Sequence, residues 1–371
     1  MASDETSERV LGEIKAELAV TPYRFTSAHL LTGGTANFIY QAKLEQPLPN
    51  GTIEVAIKHG EGFVRQSPNF KLTTSRCRVE ESCLKYLESF PPHIGSKVSV
   101  GTPKLFYFNE KTNTQVQEYQ PDPLSLKLYA LKFYHSASSE ETKDQCLEIG
   151  YGVGKWLREF HSWSNSPDQV KLREIAAANK DLQSIKHWLN YQQLPSAIER
   201  HPSVFGECAD VFADILDKSA KELENEKNLQ VIHGDFWTGN VLLRGQPWTS
   251  GHIRLFVVDW EMFQLALAPF DLGQMIAELY ELKLFKDIDA GLWLIQGFVK
   301  GYGAVDDDFA FKTLLQVGVH LVSIGTTVQG WGTAEQVESV AIAGKDILLN
   351  AWSKQREWFN NHPLGCILSR N

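Results

Sequence analysis

The chain has 371 residues, 43% hydrophobic and 22% charged, an ordinary globular mixture that allows a substantial core in two or three domains or lobes. Its net charge of −9 argues against nonspecific binding to nucleic acid or anionic membranes and is compatible with a cationic substrate. Five widely spaced cysteines without a C-x-x-C pair, a polar and acidic start, and the lack of a long apolar run predict a cytoplasmic protein with no disulfide framework, zinc site, secretory signal or membrane span.

Val10, Ile14 and Leu18 share one helical face, which predicts a short helix over 10–20. Residues 30–44 read as strand, glycine turn (32–37) and strand. The β-branched run 53–58 reads as a third strand. At 76–87 the period changes, and Val79, Cys83, Leu84 and Leu87 fall on one face of a helix. Residues 103–108 and 114–119 predict two more strands. Gln120-Pro121-Asp122-Pro123 then interrupts the pattern. We therefore expect residues 1–119 to form a lobe with a small sheet and one major helix, and residues 120–371 to form a larger, mostly helical lobe. In the second, helices are expected up to His161, over 210–223 and from Gln274 to Phe359, while 165–195 shows no clear period. Apolar runs within 229–260 bracket a turn at Gly245-Gln246-Pro247, which predicts a loop followed by a hairpin.

The chemistry concentrates in Val231-Ile232-His233-Gly234-Asp235-Phe236-Trp237-Thr238-Gly239-Asn240 and, after an apolar run, Asp259-Trp260-Glu261. Phosphoryl transfer needs a carboxylate to orient the attacking hydroxyl and accept its proton. It also needs oxygen ligands for the Mg²⁺ that neutralises a triphosphate. Asp235 fits the base, and Asn240 and Asp259 fit the metal ligands. The spacing Asp235 to Asn240 matches the kinase loop D-x-x-x-x-N. His233 is expected to brace the loop by hydrogen bonding. In the first lobe, Val55-Ala56-Ile57-Lys58 reads as the strand whose lysine pairs with the α/β-phosphates of ATP. Glu80 is the expected anionic partner of Lys58; Glu81 lies about 100° round the helix and competes for the role. Gly33 and Gly34, with Asn37, form a turn through which the backbone can approach phosphates. Gln117 and Tyr119 lie where a hinge would meet adenine. Asp271, in Pro269-Phe270-Asp271-Leu272-Gly273, is expected to stabilise a helix start.

Taken together, G-G-T-A-N-F, V-A-I-K, Arg78-Val79-Glu80, H-G-D-F-W-T-G-N, D-W-E and P-F-D-L-G resemble the aminoglycoside phosphotransferase family, whose superfamily includes choline/ethanolamine and methylthioribose kinases. The resemblance runs from about Leu31 to Gly273. It implies an α+β, bilobal protein-kinase-like fold, ATP and Mg²⁺ as cofactors, and transfer of the γ-phosphate to an alcohol. It carries Asp235 as base, Asn240 and Asp259 as metal ligands, and Lys58 with Glu80 as the phosphate-anchoring pair. Fructosamine kinases share a similar loop but usually follow it with D-P-A, where this chain has Asp259-Trp260-Glu261. The acceptor is expected to be a small hydroxylated molecule, either a cationic amine, to which Trp237, Trp260, His320, Trp331 and the acidic segment from Glu278 to Glu281 incline, or a sugar such as methylthioribose. Two other readings compete: a protein kinase, which lacks support because no A-P-E-like segment follows Asp259, and a pseudokinase, which the full set of acidic residues and Lys58 opposes.

Overall fold

Buried side chains alternate along Phe38–Leu44, with Phe38, Tyr40, Ala42 and Leu44 all turned to one face. In the computed structural model, which describes residues 2–31, 33–135 and 139–369, this strand lies in the first of two units. That unit comprises the chain up to Ser89 and Thr102–Pro121. Its antiparallel sheet runs in the order Phe25–Leu30, Phe38–Leu44, Glu54–His59, Thr114–Glu118, Leu105–Asn109. Val10, Ile14 and Leu18 from the helix Ala2–Leu18 join the buried face of the sheet in one apolar cluster. The helix Ser75–Leu87 buries Cys77, Cys83, Leu84 and Leu87 together with Arg76 and Glu80. A small hairpin, Phe63–Val64 with Ser67–Lys71, occupies a stretch where the sequence shows no strand pattern. Thr32, part of the expected glycine turn, lies outside the described residues.

The second unit comprises Phe90–Gly101 and the chain from Asp122 onward. Phe90–Gly101 belongs here because Val98–Gly101 pairs in parallel with Ile253–Val257, in the sheet ordered Pro123–Ser125, Val241–Arg244, Ile253–Val257, Val98–Gly101, His93–Ile94. A second ribbon pairs Gln230–Ile232 with Gln264–Ala266. The rest is helical, including Glu140–Ser164, Lys180–Asn190, Ala209–Glu224, Pro269–Lys286, Ala290–Tyr302, Asp307–His320 and Ala334–Trp352.

Two of these helices meet backbone to backbone. Gly150 and Gly154 on Glu140–Ser164 face Gly297 and Gly301 on Ala290–Tyr302. A Cβ added at any of the four would come within 2.0 to 2.3 Å of a carbonyl oxygen of the opposite helix. Glycine inside a helix costs about 1 kcal/mol relative to alanine, so the close approach it permits has to offset that cost. Beside this contact, Trp156, Phe160, Phe236 and Trp260 form an aromatic core beneath the H-G-D loop.

All five cysteines are free, and four of them are buried. Among the described residues, no helix is long and apolar enough to cross a membrane.

Candidate active site

Gln230–Ile232, paired with Gln264–Ala266, runs directly into His233, Gly234 and Asp235. Gly234 has φ +81°, and a Cβ there would lie 2.1 Å from the Met262 carbonyl oxygen, so only glycine fits the turn. The turn is held from behind by Asp271, which is fully buried. One of its oxygens accepts the His233 N–H (2.9 Å), the other accepts the Gly234 N–H (3.0 Å), and His161 Nε2 lies 3.1 Å from the first. Asp271 thus spends its carboxylate on the loop, not on the start of its own helix, as the sequence had suggested. His233 Nε2 lies 3.1 Å from the Val258 carbonyl, while its Nδ1 accepts the Asp235 N–H at 3.2 Å. This pattern fixes a neutral tautomer with the proton on Nε2, and burial keeps the imidazole pKa below its ordinary value.

The Asp235 carboxylate is surrounded by donors. Lys186 Nζ lies 2.5 Å and Gln274 Nε2 2.9 Å from Oδ1, and Asn240 Nδ2 donates to Oδ2 at 3.0 Å and to the Asp235 carbonyl at 2.9 Å. Burial disfavours the charge of Asp235, but the Lys186 ammonium and these hydrogen bonds outweigh it and hold the carboxyl below the usual carboxylate range. Lys186 and Gln274 were not found by sequence reasoning. Lys186 stands on Lys180–Asn190 in line with buried Leu182 and Asn190, and its ammonium also rests 5.6 Å from the Phe270 ring centre. A lysine at i+4 from a buried leucine and i−4 from a buried asparagine was the available signal.

Asn240 and Asp259 are brought together by the hairpin. Val241 pairs with Val257, and the Val258 N–H donates to the Asn240 carbonyl at 3.0 Å. Because Asn240 gives its amide NH₂ to Asp235, its Oδ1 is the atom left to receive a cation. Asp259 sits just past the end of Ile253–Val257 with φ +67° and ψ +65°, a left-handed conformation that costs a non-glycine residue about 1–2 kcal/mol.

In the first unit, Lys58 Nζ contacts both Glu80 oxygens, at 2.8 and 2.7 Å, and Gln115 Nε2 donates to Glu80 Oε2 at 3.1 Å. Glu81 instead pairs with Lys85 on its own helix at 2.5 Å. Gly33 is exposed, and a Cβ at Gly34 would touch the Ile39 side chain at 3.0 Å. Asn37 is buried, with Oδ1 accepting from Arg76 Nη2 at 2.9 Å, so its side chain shapes the turn from within. Gln117 is buried on Thr114–Glu118, donating to Gln115 Oε1 at 2.7 Å, and Tyr119 follows that strand half-buried.

The residues expected to wall the acceptor divide. Trp260 is fully buried, its ring centre 4.4 Å from His233 and 5.1 Å from Phe160, and so belongs to the core. Glu278, Glu281, His320, Trp237 and Trp331 do converge, but around a side chain of the protein itself. Lys127 Nζ lies 3.0 Å from Glu278 Oε2, 3.9 Å from Glu281 Oε2, 4.2 Å from the Trp331 ring centre and 5.7 Å from that of Trp237.

The model of the phosphotransferase enzyme family matches residues 63–306. A phosphotransferase FrzJ from Cladobotryum sp is 26% identical over 383 residues, covering 99% of this chain and 98% of the relative. A 4-hydroxytryptamine kinase from Psilocybe cyanescens is 22% identical over 324 residues, covering 85% of this chain and 84% of the relative. Among solved structures, a mutant of aminoglycoside 2'-phosphotransferase-IIIa in complex with GDP has a TM-score of 0.51 at 12% identity, over 95% of this chain and 99% of that one. Amicoumacin kinase hAmiN, in a complex with AMP-PNP and Ca²⁺, has a TM-score of 0.50 at 11% identity, over 95% and 96%. These structures share the protein-kinase-like fold that the sequence motifs led us to expect. The chain belongs to the phosphotransferase enzyme family.

Proposed function

We propose that this phosphotransferase is an ATP- and Mg²⁺-dependent kinase that transfers the γ-phosphate to a hydroxyl group of a small molecule. The observation that carries the reading is the Asp235 carboxylate, kept ionised and fixed in direction by Lys186, Gln274 and Asn240. Asp235 would take the acceptor's O–H as a hydrogen bond, point its oxygen at the phosphorus, and receive the proton as the bond forms. In a loose phosphoryl-transfer transition state the proton leaves late, so an orienting carboxylate of low basicity suffices.

Asn240 Oδ1 and the Asp259 carboxylate are hard oxygen donors of the kind Mg²⁺ prefers, and the hairpin places their backbones side by side. Mg²⁺, when bound, supplies neutralisation of the triphosphate charge. Lys58, steered by the two oxygens of Glu80, would hold the α/β-phosphates, with the Gly33–Gly34 turn giving backbone N–H groups to the same end. Gln117 and Tyr119 would flank the adenine. The 4-hydroxytryptamine kinase among the relatives supports an acceptor that bears both a hydroxyl and an amine.

The test is an ADP-release screen with ATP and Mg²⁺ across amino alcohols, hydroxylated aromatic amines, aminoglycosides, methylthioribose and fructosamines. Release that depends on one acceptor class supports the reading and names the substrate. Tight ATP binding with no release on any hydroxyl would count against it.

A further inference from the structure

Glu278 stands one turn along Pro269–Lys286 from Gln274, the residue that donates to Asp235, and so lies about 6 Å further along the helix. Around it the second unit gathers a cluster of buried polar side chains. Glu278 Oε1 lies 3.2 Å from His320 Nε2, and its Oε2 takes the Lys127 ammonium. Glu281 is buried beside them, 3.9 Å from both Lys127 Nζ and His320 Nε2, so that neither of these reaches its oxygens at hydrogen-bond length. His320 Nδ1 is likewise buried without a hydrogen-bond partner, while the Trp331 indole N–H is turned to the Glu281 carboxyl and favours its charged form.

Charges are unevenly met. Burial raises the Glu281 carboxyl well above its usual range, and the neighbouring Glu278 pushes it further up. Burial also disfavours charge on Glu278, but His320 and Lys127 outweigh it and hold that carboxyl low. A buried acid pair, closed by the faces of Trp331 and Trp237, has the composition of an ammonium receptor: charge from Glu278, quadrupole attraction from the rings, and further acceptor atoms for N–H groups on Glu281. Lys127 satisfies each of these in part. The exposed Lys286 approaches the Trp331 ring at 4.9 Å but pairs with neither glutamate among the described contacts.

We infer that this cluster is a site for a primary alkylammonium that Lys127 fills as a tethered occupant, making Lys127 the residue that closes it to small amines. The inference rests on the reading above only in setting the acceptor beside Asp235. It means that the wild-type chain presents a fixed positive charge there in place of an open anionic cage, and holds an acceptor amine elsewhere.

The experiment measures binding, so that it stays separable from whether phosphate is transferred. The Lys127→Ala protein is titrated calorimetrically with ethylammonium chloride, against sodium chloride at equal ionic strength. The expected result is saturable binding at least about tenfold tighter than in wild type, equivalent to ~1.4 kcal/mol. Binding should disappear in the Lys127→Ala/Glu278→Gln protein. In a thermal melt, the ammonium salt should raise the midpoint of Lys127→Ala and not that of Lys127→Met, whose uncharged stem still fills the space. A folded Lys127→Ala protein that binds no better than wild type would overturn the inference. So would wild-type binding of equal strength that is lost in Glu278→Gln. Failure of Lys127→Ala to fold even with the ammonium salt present would also overturn it, because the ion should replace the missing charge.

Discussion

Asp235 draws its direction from a residue far away in sequence. Lys186 Nζ, 2.5 Å from Oδ1, both orients the carboxylate and keeps it ionised. Lys186→Met keeps the length of the side chain and removes the ammonium. We expect kcat to fall about 10²-fold, the cost of a misplaced reacting group, with KM for ATP little changed. The sign of the pH effect follows from the same contact. Lys186 lowers the Asp235 pKa, so its removal raises it, and Asp235 becomes protonated at a higher pH. The acid limb of the rate profile should therefore move to higher pH in the variant. An unshifted profile with an unchanged kcat would show that Lys186 only fills space. At this scale the sequence was legible where motifs are local. Asp235, Asn240 and Asp259 stand in one stretch with fixed spacing, and Glu80 could be separated from Glu81 by helical phase. Lys186, Gln274 and Lys127 were not legible, since each acts across 39 to 151 residues of chain and a buried lysine looks like any other in sequence.

The helices Glu140–Ser164 and Ala290–Tyr302 approach through Gly150, Gly154, Gly297 and Gly301. Gly154→Ala would place a methyl 2.0 Å from the Phe298 carbonyl oxygen, so the helices must part. Overpacking of this kind costs about 1–3 kcal/mol, and chemical denaturation of the variant should show a loss of that size despite alanine's better helix propensity. A neutral or stabilising effect would mean that the pair tolerates separation. Each pair is spaced four residues apart, G-x-x-x-G, but the sequence alone could not say that the two faces meet.

A second element-level expectation concerns His362. Its ring stacks on Trp358 at 4.7 Å and meets Tyr280 edge-on at 5.9 Å, its Nδ1 accepts the Leu364 N–H at 3.2 Å, and burial lowers its pKa from 6.5 to about 4. Between those two values the unfolded chain binds a proton that the folded chain does not. Stability should therefore fall as pH drops from 6.5 towards about 4. His362→Phe should lose less stability than wild type over that interval, as read by denaturant midpoints; parallel losses would remove His362 from the account.

At the scale of the whole molecule, alternating and helical periods were enough to foresee an α+β chain with a sheet-bearing first part and a helical second part. The detailed partition was harder. Val98–Gly101 lies between elements of the first unit in sequence and yet pairs in parallel with Ile253–Val257, a partner about 155 residues on that no local pattern announces. The hairpin Phe63–Lys71 was missed because its second strand is wholly exposed and so carries no apolar alternation. The helices between 165 and 200 were missed because they are short, and several of their buried positions are polar: Gln183, Lys186 and Asn190. Those polar positions include one that holds the proposed base, so the stretch least legible as fold supplies part of the site.

In the proposed reaction, phosphate passes from ATP to a small-molecule hydroxyl under the direction of Asp235. The most direct measurement is single-turnover transfer of label from γ-labelled ATP, with Mg²⁺ and the accepted alcohol, in wild type and Asp235→Ala. Label should appear in the small molecule for wild type, and at a rate lower by about 10²–10⁴-fold in the variant, with ATP still bound. Label released to water in wild type, or a variant that transfers at the wild-type rate, would contradict it.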